Sequence, residues 1–595
     1  MRTLNKDFVF LLLLVIIGGG IYANTFSNQF VYDDQVTIRE NLFIRDWKNL
    51  SRFFTGDYYL RSEEYSFRPL VTLTYFLDYS WSGVNPRGYH LTNLILHLLS
   101  VGAVFFLARR LLGSRGSAFL AAVIFTVHPA LVEAAAGISF REDLLCAFFF
   151  FLSLLIYIKN ERKNKRILYS LSVLFFLLAL LSKEMAVTFP LIVATYDLII
   201  HRRRFSELLR PRVVILFLIA GIYLLARFLL LYQRQALPAA PEFGDIFTRL
   251  ILIFKGGGLY GRLIFFPLKL TVEYPDPLSP VIWGNYLIFP SLLTAAAGIW
   301  VWLKPPGGAT KRFGLAFLLL ALLPVLNIVP NARLGAERFI YLPFFGFCLL
   351  FAAFLSSCWR KISSSRFRQL LAGLIAFIIL FWAIGTISQN RVWRDNLTLF
   401  SRAVRSSPRS SKAHQGLGNE FFRLGRLTTA VEELKKAIAI FPREPLYHNS
   451  LGVVYGEMGY LKPALAQFRE SSRLNPGDPL VTMNLSTLNL RAGDIPAALK
   501  EIERYIQARP FDPKGYLNRA EIYSSKKSYR KALDSYREAL NRNPTLVTGL
   551  AGLGYCHYLL REYPEARGAW EKALRLDPAN RQLRQNLKIL SKKNK

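Results

Sequence analysis

Two carboxylates stand side by side in NQFVYDDQ (28–35), Asp33 and Asp34, directly after Phe8–Tyr32, a run without a single charge. Apolar spans usually end in Lys, Arg, Trp or Tyr. An acidic pair at that point is therefore either a solvated loop or a site working at a membrane surface. Three more charged stretches flank apolar runs. HPALVEAAAGISFRED (128–143) supplies Glu133, Arg141 and Asp143; SKEM (182–185) supplies Lys183 and Glu184; ARLGAERFIYLP (332–343) supplies Glu337 and Arg338. Carboxylates and cations on one face of a spanning bundle suit glycosyl transfer from a lipid-linked phosphosugar. A carboxylate accepts the proton of an attacking hydroxyl, and Arg and Lys stabilise charge on the departing lipid phosphate.

Whether these groups share a face depends on the spans. The chain has 595 residues and is 52% hydrophobic and 14% aromatic, which fits a polytopic membrane protein with a soluble part. Apolar runs of spanning length fall near 8–26, 90–108, 117–137, 143–158, 167–182, 185–200, 213–232, 285–303, 313–330, 339–357 and 369–389, about eleven in all, each near the ~20 residues a bilayer needs. Residues 1–389 thus read as a membrane domain, with 24–88 as its first extracytoplasmic loop. The N-terminal run reads as an uncleaved first span, because Ile21-Tyr22-Ala23-Asn24 is a poor cleavage site. The segment 249–267 is ambiguous. It carries Arg249, Lys255, Arg262 and three consecutive glycines, and is expected to enter and leave on one side.

Basic clusters at 109–115, 159–166, 202–212, 304–312 and 360–368 orient the chain with those loops in the cytoplasm. Asp33, Asp34 and the three charged motifs then all lie outside, as do residues after 389. His90, Asn93 and His97 share one face of a span and read as a polar seam between helices.

The net charge is +35, and residues 391–595 contribute 36 Lys+Arg against 19 Asp+Glu. Anionic lipid, an acidic partner or plain solubility accounts for that; no nucleic-acid motif is present. The four cysteines (146, 348, 358 and 556) form no CxxC pair, so neither a disulfide framework nor a zinc site is implied. No His/Asp/Glu spacing points firmly to a metal, and the clustered acids leave a divalent cation, magnesium or manganese, open.

The C-terminal part repeats. Prolines recur at 408, 442, 476, 510, 544 and 578, a step of 34 residues, which is the tetratricopeptide period. Alanines 430, 464, 498, 532 and 566 keep phase, and Phe468, Tyr536 and Trp570 fill one large position. Five repeats are expected over 409–578, with a capping helix and basic tail at 579–595. One step earlier, 390–408 reads as a half repeat whose partner is the last span. A flexible insertion between Gln389 and Trp393 is therefore expected to spare transfer to a short peptide while weakening transfer to a whole protein. The expected class is all-α: a polytopic membrane helix bundle followed by a tetratricopeptide solenoid.

FVYDDQ, SFRPLVTLTYFLDY (66–79), GYHLTNLILHLL (88–99), HPALVEAAAGISFREDLL (128–145), LSKEMAVTFP (181–190) and ERFIYLP (337–343) resemble the transmembrane-and-tetratricopeptide O-mannosyltransferases and their bacterial relatives across essentially the whole chain. That resemblance implies a GT-C-type membrane fold and a polyprenyl-phosphate sugar donor, typically mannose. It implies inverting transfer to Ser/Thr hydroxyls of extracytoplasmic proteins recruited by the repeat groove, and contact with membrane lipids. Carried over residue by residue, Asp33 or Asp34 is the base, with Asp33 favoured. Arg141, Lys183 and Arg338 bind the donor phosphate, with Glu133, Asp143, Glu184, Glu337, Tyr341 and His90 in support. Phe140 departs from the small residue common before the Arg-x-Asp. The compact repeats and short loops suggest a prokaryotic member in a bacterial inner membrane. The competing readings are a non-catalytic membrane scaffold recruiting proteins through its repeats, and a GT-C transferase acting on a glycan or lipid.

Overall fold

The first part of the uncharged run after Asp7 forms α1 (Lys6–Tyr22), because a backbone in lipid must satisfy its own hydrogen bonds. The computed structural model describes residues 6–54, 67–163, 165–232, 246–274, 308–328 and 335–593. It divides into two units, Met1–Ser410 and Ser411–Lys595, and among the described residues every regular element is helical.

In the first unit α1 is followed by α2 (Pro69–Ser82), α3 (Pro86–Leu112), α4 (Arg115–Val127), α5 (Val132–Ala136), α6 (Arg141–Lys163), α7 (Arg166–Ser182), α8 (Phe189–Ile199), α9 (Pro211–Tyr232), α10 (Ile246–Phe265), α11 (Gly308–Leu322), α12 (Phe344–Lys361), α13 (Ser365–Val392) and α14 (Asn396–Ser406). α3 packs on α1, α4 and α6, and α6 lies along α7. α11 and α12 approach at Gly314 and Gly346, where an added Cβ would stand 3.0 Å or less from the other helix's backbone oxygen. Six helices among the described residues are long and apolar enough to cross a membrane, or seven counting one bent pair.

The run 117–137, expected as one span, is not one continuous helix: α4 ends at Val127 with His128 as its cap, and Pro129–Ala136 leaves at 61°. Proline holds His128 in extended backbone, φ −76° and ψ 122°, which breaks the helix there. The segment 249–267 is helical as α10, with its glycines inside. The span expected at 285–303 lies outside the described residues, as do 332–334 and the basic residue Lys304.

The second unit is five antiparallel helix pairs. They are α15 (Ser411–Arg423) with α16 (Leu427–Ile440), α17 (Pro445–Glu457) with α18 (Leu461–Leu474), α19 (Pro479–Arg491) with α20 (Ile495–Ala508), α21 (Pro513–Ser525) with α22 (Tyr529–Arg542), and α23 (Val547–Leu559) with α24 (Tyr563–Leu576). α25 (Arg581–Lys593) follows them. The large residues fill their pairs tightly: a Cβ on Gly452 would meet the Phe468 ring at 2.7 Å, and one on Gly554 the Trp570 ring at 2.5 Å. The turn between the two helices of each pair needs a left-handed residue. Gly425, Gly459 and Gly493 serve the first three repeats, but Lys527 (φ 59°) and Arg561 (φ 63°) serve the last two.

Candidate active site

The loop after α1 is strapped to the far end of α13. Asn24 donates through Nδ2 to the Ile387 carbonyl at 2.9 Å, and Asn28 to the Asn390 carbonyl at 3.1 Å. Asn390 returns a bond to Asn24 Oδ1 at 2.8 Å, and the Gln29 amide donates to the Arg394 carbonyl at 2.9 Å. The strap ends at Tyr32, a non-glycine residue at φ 57°, a conformation that side chains avoid unless the surroundings enforce it. Here they do. Its amide donates to Asn396 Oδ1 at 2.8 Å, its hydroxyl donates to Glu273, and its ring lies 5.9 Å from Phe400 and 6.1 Å from Phe140.

This turn separates the two aspartates. Asp34 is fully buried and accepts from the Val31 amide at 3.0 Å and the Ser139 amide at 2.7 Å. Burial pushes its carboxyl up to about 7, against the lowering effect of those amides. It clamps the loop to the turn at 138–140. Asp33 is exposed. Of the two, only Asp33 is placed to meet a substrate without unfolding the loop.

The expected phosphate-binding cations are distributed differently from the sequence reading. Arg141 begins α6 and is wholly buried. Its guanidinium pairs with Asp78 at 2.6 Å and donates to Asn93 Oδ1 at 2.7 Å, Thr74 Oγ1 at 3.1 Å and the Tyr89 carbonyl at 3.1 Å. It also lies over the Tyr75 ring at 4.9 Å. Four of these partners take up most of its five N–H groups. Arg141 staples α6 to α2 and α3, where the sequence reading expected a donor-phosphate contact.

Lys183 is also buried. Its Nζ is 2.6 Å from Asp143 and 3.5 Å from Glu142, and 5.1 Å from the Phe339 ring centre. Glu142 in turn meets Arg68 at 2.8 Å, and Arg68 meets Glu184 at 3.3 Å. Arg227 lies 3.4 Å from the other Glu184 oxygen. Burial works to raise the Glu184 carboxyl, but Arg68, Arg227 and Lys183 hold it well below the usual carboxylate range. The network of Arg68, Lys183 and Arg227 against Glu142, Asp143 and Glu184 is thus charge-balanced.

Arg338 joins this network to the aspartate loop. Glu133 accepts from its guanidinium and, at 2.9 Å, from its backbone amide. Its guanidinium carbon stands 4.0 Å from the Phe140 ring centre and 4.9 Å from that of Phe339. Phe140, the departure from the family pattern, is therefore the seat of Arg338, and its ring also meets Trp393 edge-on at 5.8 Å. Asp34, Glu133, Arg338, Lys183, Asp143 and Glu184 form one connected cluster. Glu337 adjoins it, accepting from the Thr271 amide and from the Tyr274 hydroxyl at 3.0 Å. Burial, with Glu133 nearby, pushes its carboxyl well above the usual range. Tyr341 and His90 lie apart, inside the bundle. The Tyr341 hydroxyl meets His97 Nδ1 at 2.8 Å. His90 packs against the Asn28 backbone, with neither ring nitrogen in hydrogen-bonding geometry among the described residues.

Sequence reasoning gave no role to Tyr32, Arg68, Asp78, Glu142, Arg227, Glu273 or Asn396. Asp78 alone carried a signal, as the one acid within the apolar stretch 69–82; the others are partners only in space. The residues among those described whose carboxylate and imidazole atoms could converge on a metal are Glu161, Asp197 and His201. They lie a helix length, ~30 Å of α6, from Arg141, and Arg203 already bridges both carboxylates.

Residues 75–226 match the family described as dolichyl-phosphate-mannose-protein mannosyltransferase. Residues 418–459, 451–513, 513–546 and 547–580 match tetratricopeptide families. The chain is 28% identical over 451 residues to protein O-mannosyl-transferase TMTC3 of Mus musculus, covering 68% of this chain and 48% of that one. It is 26% identical over 518 residues to protein O-mannosyl-transferase Tmtc1 of Drosophila melanogaster, covering 70% and 60%. The chain thus spans about half to three fifths of the length of these relatives. Among solved structures, the tetratricopeptide protein YrrB aligns with 32% of this chain and 97% of its own at 16% identity and a TM-score of 0.27.

Proposed function

We propose, from the homology of this chain to the transmembrane-and-tetratricopeptide protein O-mannosyl-transferases, that it is a membrane glycosyltransferase. It moves a mannose from a polyprenyl-phosphate donor to Ser or Thr hydroxyls of proteins on the outer side of its membrane, and the repeats recruit those proteins. The observation that carries the reading is the division of labour at 33–34. Asp34 is consumed in clamping the loop to the Ser139 amide, while the adjacent Asp33 is exposed.

In the proposed step the acceptor oxygen attacks the anomeric carbon as the bond from that carbon to the phosphate oxygen breaks. The electron pair of that bond leaves with the polyprenyl phosphate. Asp33 takes the hydroxyl proton, which is general-base catalysis in a single inverting displacement. The strap from α13 and the left-handed Tyr32 hold the base in place, so little ordering remains to be done in the transition state.

The test is mass spectrometry of membrane-exposed proteins from cells with and without the chain, and with Asp33→Asn. Hexose on Ser/Thr peptides should require the chain and vanish in Asp33→Asn. Identical glycopeptide maps in all three would refute the reading and favour a non-catalytic scaffold.

A further inference from the structure

The charge balance of the site leaves a question: which cation meets the donor phosphate, if Arg141, Lys183 and Arg338 are all paired with carboxylates? α10 supplies an answer. Lys255 is 7% exposed, and among the described residues it has no carboxylate, hydrogen-bond or ion-pair partner. It lies on the inward stripe of the helix with Leu252, Leu259 and Leu263, all buried, three to four residues apart as one helix face requires. Leu250, Phe254 and Phe265 are exposed on the opposite side. Lys255 therefore does not escape to water along the exposed face, and a buried ammonium without a counter-charge is costly.

Two features beside it point to a ligand. Gly256, Gly257 and Gly258 follow directly. They weaken a helix, and a Cβ on Gly257 would meet nothing within 4 Å, so open space adjoins the run there. Two turns on, ~10 Å along the axis, comes Arg262, 5.9 Å from the Tyr274 ring centre. The chain after α10 leads straight to the site: the Thr271 amide donates to Glu337, and Glu273 accepts from Tyr32, the neighbour of Asp33.

We infer that Lys255, beside the glycine run of α10, binds the phosphate of an isoprenoid-phosphate lipid. This rests on the proposed transferase reading for the identity of the lipid, not for the existence of the site. A phosphate monoester or diester supplies the missing counter-charge.

The experiment uses the purified full chain in detergent. Binding of a short-chain polyprenyl phosphate is measured for wild type, Lys255→Gln, Lys255→Met and Lys255→Arg, with phosphatidylglycerol and inorganic phosphate as parallel probes. Losing a charged hydrogen bond should weaken polyprenyl-phosphate binding roughly 10–100-fold in Lys255→Gln and Lys255→Met. Lys255→Arg should stay within a few fold of wild type. Because Lys255→Met removes a buried charge, its thermal stability without lipid should equal or exceed wild type. A marked loss of stability would mean that Lys255 is a structural ion-pair member and would overturn the assignment. Equal polyprenyl-phosphate binding by wild type and Lys255→Gln would overturn it, as would no binding by wild type. Equal Lys255-dependence with phosphatidylglycerol or inorganic phosphate would show a general phosphate site rather than one for this lipid, and would overturn it too. Lys255-dependent binding in a chain that transfers no sugar would refute the transferase reading and leave the site standing.

Discussion

Removing the Arg141 side chain should unfold the bundle locally before it affects donor affinity. The guanidinium is wholly buried and 2.6 Å from Asp78, itself nearly inaccessible, and three further hydrogen bonds tie it to α2 and α3. Breaking a buried pair from one side leaves the other charge uncompensated and costs about 3–5 kcal/mol. At about 2 °C per kcal/mol for a large domain, Arg141→Ala should lower the melting temperature of the membrane unit by ~6–10 °C. Asp78→Ala should do the same. The double variant should fall well short of the sum, because each single change already loses the pair. The assay is heating of the detergent-solubilised chain followed by size-exclusion recovery, with donor KM measured at a temperature where every variant is folded. Arg141→Ala should lower the amount of folded protein and leave KM within a few fold of wild type. A variant that keeps the wild-type melting temperature and raises KM tenfold or more would refute the staple and restore the phosphate role.

Asp33→Asn should cost ~10²–10⁴-fold in turnover with donor binding unchanged, measured by single-turnover transfer to a Ser/Thr peptide. The Asp34 carboxyl sits at about 7 in the fold against 3.8 ordinarily. Between those values the folded chain holds a proton that the unfolded chain does not, so its contribution is full below about pH 4 and is lost as pH rises towards 7, by about 4 kcal/mol in total. Asp34→Asn should flatten that slope in a pH series of melting temperatures. Lys527→Gly and Arg561→Gly should each stabilise the repeat unit by ~0.5–1 kcal/mol in urea unfolding, since glycine adopts positive φ without the Cβ penalty. A flexible insertion between Gln389 and Trp393 should abolish transfer even to a short peptide. It would displace Asn390, Arg394 and Asn396 from the loop that holds Asp33, so the milder outcome expected from sequence does not follow.

The sequence by itself determined what is periodic or compositionally extreme. The 34-residue step settled five helix pairs, because each repeat must present the same residue types to its neighbours; Phe468, Tyr536 and Trp570 pack as their phase requires. Apolar length located α1, α3 and α13, because the bilayer sets a minimum run. Local sequence also marked the break at His128-Pro129, although the apolar run concealed it. The site was legible as a set of charged residues at span ends, but not as roles. An arginine beside an acid in sequence looks the same whether its guanidinium faces a ligand or a buried Asp78 two helices away. Adjacent aspartates look equivalent until a left-handed Tyr32 turns one towards solvent and the other onto the Ser139 amide. Phe140 looked like a defect in a motif and proved to be the ring beneath Arg338. Burial and counter-charge are relations between distant segments, and only the packed bundle decided which cations were neutralised and which, Lys255 among them, still had a charge to meet.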